Sequence, residues 1–319
     1  HGVSQGIADG TYSTGAYTNG TPNTSINGIY QAKDDLKYYS YSSGSPTGLF
    51  NGLIASLDQY GNVSGAIYYS NGEVDVNFNR LDYTYIFNNY NFHLDFSNGI
   101  GVLSDGYYSS GYYVDGGPVT GPGDSIKGVH QAKDDSKYYE YTAQGNVIGL
   151  ANGYYSNGAF NNGDRDQNAN GLFQAIDNGK YYSYLHGVSQ GIADGTYSTG
   201  AYTNGDPDNN INGTYQAKDD LKYYSYSSGS PTGLYTGIIV NTTNNVSNTI
   251  ATKYTNGEID LSFNAFAYPA TYNGYNATSY FDFSNGIGVL SDGYYSSSYY
   301  DNGYFSTGPG DDSIKGVHQ

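Results

Sequence analysis

Cysteine, methionine and tryptophan are absent from all 319 residues, and only 8 residues are proline. Without cysteine the chain has no disulfide staples and no thiol chemistry, and with methionine also missing there is little for oxidants to attack, which fits an exposed location. Basic residues are scarce too. Twelve Lys and Arg stand against 29 Asp and Glu, and the net charge of −17 argues against nucleic acid and anionic lipid as partners. No apolar run approaches the roughly 18 residues of a membrane-spanning helix, so no membrane insertion is expected. The chain opens on His1-Gly2-Val3-Ser4-Gln5 rather than Met, which reads as a cut or processed segment, and any export signal is expected to lie outside it.

What is abundant is glycine (46) and tyrosine (41). An aromatic fraction of 17% supplies more burial than disorder normally carries, so thin, layered cores of tyrosine are expected, with the hydroxyls finding partners.

Self-similarity organises the rest. Residues 1–50 recur almost unchanged at 186–235, an offset of 185; Phe96-Ser97-Asn98-Gly99-Ile100 recurs at 283–287, an offset of 187; Lys127–Gln131 recurs at 315–319, an offset of 188. The long repeat is about 187 residues, present in roughly 1.7 copies, and both ends fall inside a repeat. A finer repeat starts with a polar residue, glycine and an apolar or aromatic pair, as at Asp9, Asn27, Asp194 and Asn212. Its short form, Asp194–Gly205, reads as two very short strands joined by a glycine turn. The longer form runs Asn170–Ile176, a turn at Asp177-Asn178-Gly179, then Lys180–Tyr184. Asn-Gly is a strong hairpin signal because both central residues adopt positive φ. Sister copies place Lys-Asp-Asp-Leu-Lys or Lys-Asp-Asp-Ser-Lys at that turn, and Asp34-Asp35 and Asp219-Asp220 read as solvated hairpin tips. Period-2 alternation puts Tyr39 and Tyr41 on one face and Tyr38 on the other.

Two longer gaps, 51–104 and 236–291, hold an inserted module with strict alternation, Ala66–Ser70, Asn71-Gly72, then Glu73–Phe78. The segments predicted are hairpin repeats at 1–50, a β insert at 51–104, hairpins at 105–235, a second insert at 236–291 and hairpins at 292–319. The fold class expected is all-β: tandem stacked β-hairpins, solenoid-like, carrying two small antiparallel β modules. Between the two copies of the insert the middle, 80–92 against 265–279, diverges most and holds Tyr85, Phe87, Tyr90, Tyr272 and Tyr275, candidates for partner contact; a tolerant exposed loop is the competing reading.

Chemistry is sparse. The five histidines, His1, His93, His130, His186 and His318, are mostly copies of two repeat positions, no nucleophile elbow or zinc-helix motif occurs, and no enzymatic activity is expected. Asp164, Asp166 and Asn168, and again Asp206, Asp208 and Asn210, set side-chain oxygens at alternate positions before a glycine, a pattern that suits calcium. The first copy has Asn23-Thr24-Ser25 there, so a metal-free Asx turn is the alternative.

The recurring glycine, aromatic and Lys-Tyr-Tyr pattern resembles the short Tyr/Gly hairpin repeats of choline-binding and glucan-binding proteins, which implies ligands held in aromatic clefts between units. In composition and long near-identical repeats the chain also resembles giant tandem-repeat surface proteins of bacteria, which implies adhesion or appendage building. The function expected is a structural segment of an extracellular fibre, sheath or cell-surface appendage, joined to copies of itself; the alternative is a carbohydrate-binding or cell-adhesion module with glycans or a target cell surface as partner.

Overall fold

A computed structural model describes residues 6–119, 121, 123–242, 249–271 and 278–305. Every regular element among the described residues is a β-strand, and the chain is all-β, as its alternation and turn signals require. It divides into two compact units, residues 1–153 with 159–166, and residues 154–158 with 167–319.

Unit 1 contains three-stranded antiparallel sheets at 10–22, 28–49, 106–118 and 128–150, and a six-stranded sheet at 52–103. Unit 2 has three-stranded sheets at 195–207, 213–234 and 293–305, three paired strands at 171–192, and a six-stranded sheet at 237–290. In the 52–103 sheet the order is Arg80–Phe87, Tyr90–Ser97, Ile100–Leu103, Val63–Ser70, Gly52–Leu57, with Glu73–Val74 beside Val63–Ser70. Its core is Ala66, Leu94 and Phe96, packed by Tyr68, Phe78 and Tyr83; the 237–290 sheet matches it with Ala251, Phe281 and Phe283.

Three local expectations are corrected. The short unit is three strands, Gly195–Tyr197, Gly200–Thr203 and Asp206–Pro207, because the Asn204-Gly205 turn (φ 48° and 78°) folds the chain back once more. The 177–179 turn is not of the doubly positive type. Gln174 pairs with Tyr181 across a six-residue loop in which only Gly179 has positive φ (73°), the place that Leu36 (61°), Ser136 (62°) and Leu221 (62°) take in sister copies. The strand after Asn71-Gly72 stops at Val74, since Asp75 turns the chain by accepting the Asn77 amide at 3.1 Å.

The sheets are joined by backbone. The Tyr38 amide donates to the Gly72 carbonyl (2.9 Å), Gly72 to Phe50 (2.9 Å) and Phe50 to Tyr38 (2.9 Å), closing a ring of three bonds. The ring recurs in unit 1 at His93/Gly116/Ser104 and Tyr138/Gly163/Ala151, and in unit 2 at Tyr181/Gly205/Ala193, Tyr223/Gly257/Tyr235 and Tyr280/Gly303/Ser291. Between rings lies an open junction. Ala201 donates to Gly229 and Gly229 to Ile211, but Asp208, not Ile211, returns a bond to Ala201 (2.8 Å). Each junction satisfies amides and carbonyls that a short strand's free edge would leave unpaired.

Candidate aromatic groove

Each closed ring carries a pair of side-chain rings, in five of the six two aromatics tilted against each other. Tyr38 lies on Tyr69 (4.6 Å between centroids, 47° between planes), Tyr138 on Phe160 (4.5 Å, 37°), Tyr181 on Tyr202 (4.7 Å, 40°), Tyr223 on Tyr254 (4.5 Å, 46°) and Tyr280 on Tyr300 (4.6 Å, 43°). The first residue of each pair contributes its backbone to the ring and, except for Tyr280, opens a strand; the second is the penultimate residue of a strand in the following sheet. In the first insert His93 takes the first place, stacked on Tyr113 at 3.9 Å.

In unit 2 this arrangement borders a groove of about 410 Å³, whose floor includes Tyr223, Tyr254 and Gly257 and whose walls include Leu221, Ile259 and Leu261. Gly257 is required there: its φ is +78°, and a Cβ would meet Leu234 at 2.8 Å and the Tyr223 carbonyl at 2.9 Å. Leu221 and Leu261 remain 69% and 67% exposed. Apolar side chains held open beside an aromatic pair mark a contact surface better than scattered exposed leucines would. Polar groups frame the walls: Gln216 donates to the Leu221 carbonyl (2.7 Å), fixing the loop, and Lys222 pairs with Glu258 (3.0 Å). Burial, with a hydrogen bond to Tyr223, pushes the Tyr254 phenol up to about 12, so it stays protonated.

Unit 1 places the same residue types at an offset of 185: Gln31, Leu36, Tyr38, Tyr69 and Gly72, with Lys37–Glu73 at 3.1 Å. Burial and a hydrogen bond to Tyr38 likewise push Tyr69 up to about 12. Val74 and Val76, 39% and 60% exposed, stand where Ile259 and Leu261 stand. A smaller, more polar hollow of about 250 Å³ lies beside Tyr17, Asn23 and Ser43.

The sequence-predicted contacts fare unequally. Tyr85 is half-buried against the first insert's core, and Phe87 is half-buried beside it, the rings 6.3 Å apart; Tyr90 is 72% exposed. They share one hairpin, whose tip pairs Phe87 with Tyr90, and do not border the groove. Tyr272 and Tyr275 lie outside the described residues.

The residues of the calcium pattern form hydrogen-bonded turns. Asp208 accepts the Asn210 amide (3.0 Å) and the Thr203 hydroxyl (2.8 Å), and Asn212 accepts the Ser228 amide (2.9 Å), tying the turn to the adjacent hairpin. Asn23, Asp75 and Asp260 head the same turn in other copies. Asp166 donates its amide to the Ala159 carbonyl as Asp208 does to Ala201, and Asn170 donates to the Asn168 carbonyl. Asp164 pairs with Lys137 (2.9 Å) and Asp206 with Lys180 (2.8 Å). No group of three or more His, Asp or Glu able to hold a metal occurs among the described residues.

Sequence reasoning missed two things. The hairpin-tip aspartates are not merely solvated: Asp34 receives the Ser13 amide (2.8 Å) and hydroxyl, which holds its carboxyl below the usual range, and Asp134, Asp177 and Asp219 hold Ser109, Ser156 and Ser198 in the same way. The signal was a serine recurring 21 to 25 residues before each tip aspartate. The second is the cluster where the first insert meets the 106–118 sheet: the Asp82 carboxylate bridges the His93 imidazole and the Ser110 hydroxyl, with Ser110 3.0 Å from the Tyr113 hydroxyl. The second insert replaces His93 by Tyr280 and Asp82 by Ala267, which a comparison of the copies reveals. His130 lies flat on Tyr107 at 3.9 Å, and burial holds its imidazole below the usual range.

No protein-family profile matches the chain, and no curated protein matches it in sequence. Among solved structures it is similar to choline binding protein F from Streptococcus pneumoniae, determined in the presence of a peptidoglycan analogue, at 16% identity over 91% of this chain and 100% of that one, with a TM-score of 0.23. A second crystal form of that protein gives 17% identity, 83% and 93% coverage and a TM-score of 0.22. An alternansucrase in complex with isomaltononaose gives 13% identity over 85% of this chain but 19% of its own length, with a TM-score of 0.16. Likenesses at these scores carry no inference about activity.

Proposed function

We propose that this chain is a carbohydrate-binding repeat module of an exported, cell-surface protein, and that it binds rather than catalyses. The observation that carries the reading is the Tyr223–Tyr254 groove, together with the recurrence of its residues around Tyr38 and Tyr69. Sugar rings present flat C–H faces that stack on tyrosine and equatorial hydroxyls that bond amides and carboxylates, and the groove offers both kinds of surface. A cell-surface setting agrees with the acidic, cysteine-free composition. Among the described residues no helix is long and apolar enough to cross a membrane.

The test is a glycan array followed by titration calorimetry. The reading expects at least one oligosaccharide class to bind, and Tyr223→Ala to weaken it by about tenfold while the β-sheet circular dichroism is kept. An array on which nothing binds overturns it. A fibre-building role is the second reading, favoured by the closed backbone ring, a joint that uses few side chains and can be copied along any number of repeats. Ordered filaments in negative-stain images of the purified chain would support it; dispersed particles at high concentration would end it.

A further inference from the structure

The two inserts match in sheet order but differ at one edge. In the first, the outermost strand Arg80–Phe87 pairs with Tyr90–Ser97 on one side, and no strand among the described residues pairs with its other side. Phe87 faces Tyr90 across Asn88 and Asn89, whose φ values of 50° and 65° make a two-residue turn, so Phe87–Tyr90, Tyr85–Phe92 and Tyr83–Leu94 are the hydrogen-bonded pairs. Thr84 and Ile86 therefore aim amide and carbonyl outward. His93, opposite Thr84, agrees: its amide donates to the Gly116 carbonyl and its carbonyl accepts from Ser104, both away from Thr84. In the second insert the edge strand Ala265–Thr271 places Pro269 opposite Tyr280, whose amide and carbonyl are likewise engaged by Gly303 and Ser291. Pro269 thus stands where Thr84 stands, and a proline there removes the outward amide and obstructs an incoming strand. The first insert carries no such block. A bulge between Arg80 and Tyr83 limits the open stretch to Tyr83–Phe87, which holds neither proline nor charge in a chain of net charge −17 and consists wholly of strand-favouring residues. Thr84 is exposed, and Ile86 is 67% exposed.

We propose that Tyr83–Phe87 is a docking edge for the same strand of a second copy of this chain. The segment is its own complement. In an antiparallel pair about a two-fold axis at Tyr85, Thr84 bonds the partner's Ile86 and Ile86 bonds the partner's Thr84, each pair exchanging two backbone hydrogen bonds. Tyr83 then faces the partner's Phe87 and Tyr85 the partner's Tyr85, an aromatic ladder on one face of the joined sheet, with threonine against isoleucine on the other; such cross-strand pairs are the unit of sheet stabilisation. Being uncharged, the edge is a place where two acidic chains can approach closely. A strip this short falls below the ~1,200 Å² that stable complexes bury, so the pairing is reversible and fills at high concentration. An isologous pair closes at two chains, which makes it independent of glycan binding and distinct from filament growth.

Sedimentation velocity of the full chain from about 1 µM to about 500 µM tests the pairing. Monomer should convert reversibly to dimer, and salt should strengthen the association by screening the net charge. Thr84→Pro, which copies Pro269, should weaken it at least about tenfold while the urea midpoint stays close to that of the parent, because the Thr84 amide serves no bond within its own sheet. Ile86→Glu, at an exposed side chain, should weaken it as much by bringing carboxylates together at the joint. Ile100→Glu, 58% exposed but on a strand inside the sheet, should leave the dimer intact. Hydrogen exchange at dimer concentrations should slow at the Thr84 and Ile86 amides. A chain that stays monomeric throughout overturns the proposal, as does a dimer that Thr84→Pro and Ile86→Glu leave unchanged. Dissociation by Ile100→Glu as strong as theirs would assign the contact to the face of the sheet, and slowed exchange confined to the opposite edge strand, Gly52–Leu57, would assign it there; either result overturns the docking edge.

Discussion

At the scale of single residues, the tyrosine hydroxyls separate two kinds of position that the sequence writes alike. Tyr41, Tyr141, Tyr184 and Tyr226 are buried, and each donates to a carbonyl about 30 residues earlier, at Tyr12, Tyr108, Tyr155 and Tyr197, at 2.7 to 2.8 Å. Removing the hydroxyl of Tyr226 leaves the Tyr197 carbonyl without that donor in a buried setting. Tyr226→Phe should therefore cost about 1–3 kcal/mol in urea denaturation. Tyr215 is 40% exposed, and its hydroxyl reaches only the local Asn212 carbonyl at 3.3 Å; Tyr215→Phe should change stability by less than about 0.5 kcal/mol. Equal losses at the two sites would remove the distinction. The alternation of Tyr38 against Tyr39 and Tyr41 was legible in the sequence, and the structure keeps it: Tyr39 and Tyr41 contact each other edge-on at 6.4 Å while Tyr38 turns to Tyr69. Which hydroxyl would be buried was not legible, because the acceptor belongs to a different hairpin.

At the scale of elements, the closed ring makes its glycine a packing requirement as well as a conformational one. Gly257→Ala meets both a positive φ of 78° and a clash with the Tyr223 carbonyl and Leu234, whereas Gly61 has a similar φ of 81° and open space around it. The expected costs are about 3 kcal/mol or more for Gly257→Ala and about 1 kcal/mol for Gly61→Ala, read as shifts in the urea midpoint. A smaller cost at Gly257 than at Gly61 would show that the ring yields easily. This difference explains what the sequence conveyed about the elements. Asn-Gly pairs such as Asn71-Gly72, Asn98-Gly99 and Asn256-Gly257 disclosed their own turns, because the φ preference is local. The lengths of the strands after them did not follow, since the alternation Glu73–Phe78 is written as one strand yet broken at Asp75, whose amide bonds the Tyr68 carbonyl. The groove was hidden for the same reason: Tyr223 and Tyr254 are 31 residues apart and meet only through the ring.

At the scale of the whole molecule, a fold whose core is tyrosine acquires a weakness at high pH that an aliphatic core lacks. Burial is the leading cause that pushes Tyr69, Tyr226 and Tyr254 up to about 12, and it raises Tyr108, Tyr141 and Tyr184 as well. In the unfolded chain these phenols ionise near 10. The folded chain therefore holds more protons than the unfolded one between about 10 and 12, so stability falls as pH rises through that interval, and the contribution is complete only below about 10. The ion pairs Lys37–Glu73 and Lys222–Glu258 are exposed and contribute little. The urea midpoint followed by circular dichroism should stay level from neutral pH to about 9 and then drop steeply toward 12. Tyr226→Phe provides the control, because its buried ring cannot ionise: the variant begins less stable at neutral pH, and its midpoint should decline less between about 10 and 12 than that of the parent. Parallel declines in the two proteins would assign the alkaline loss to the rising net negative charge instead of the tyrosine core.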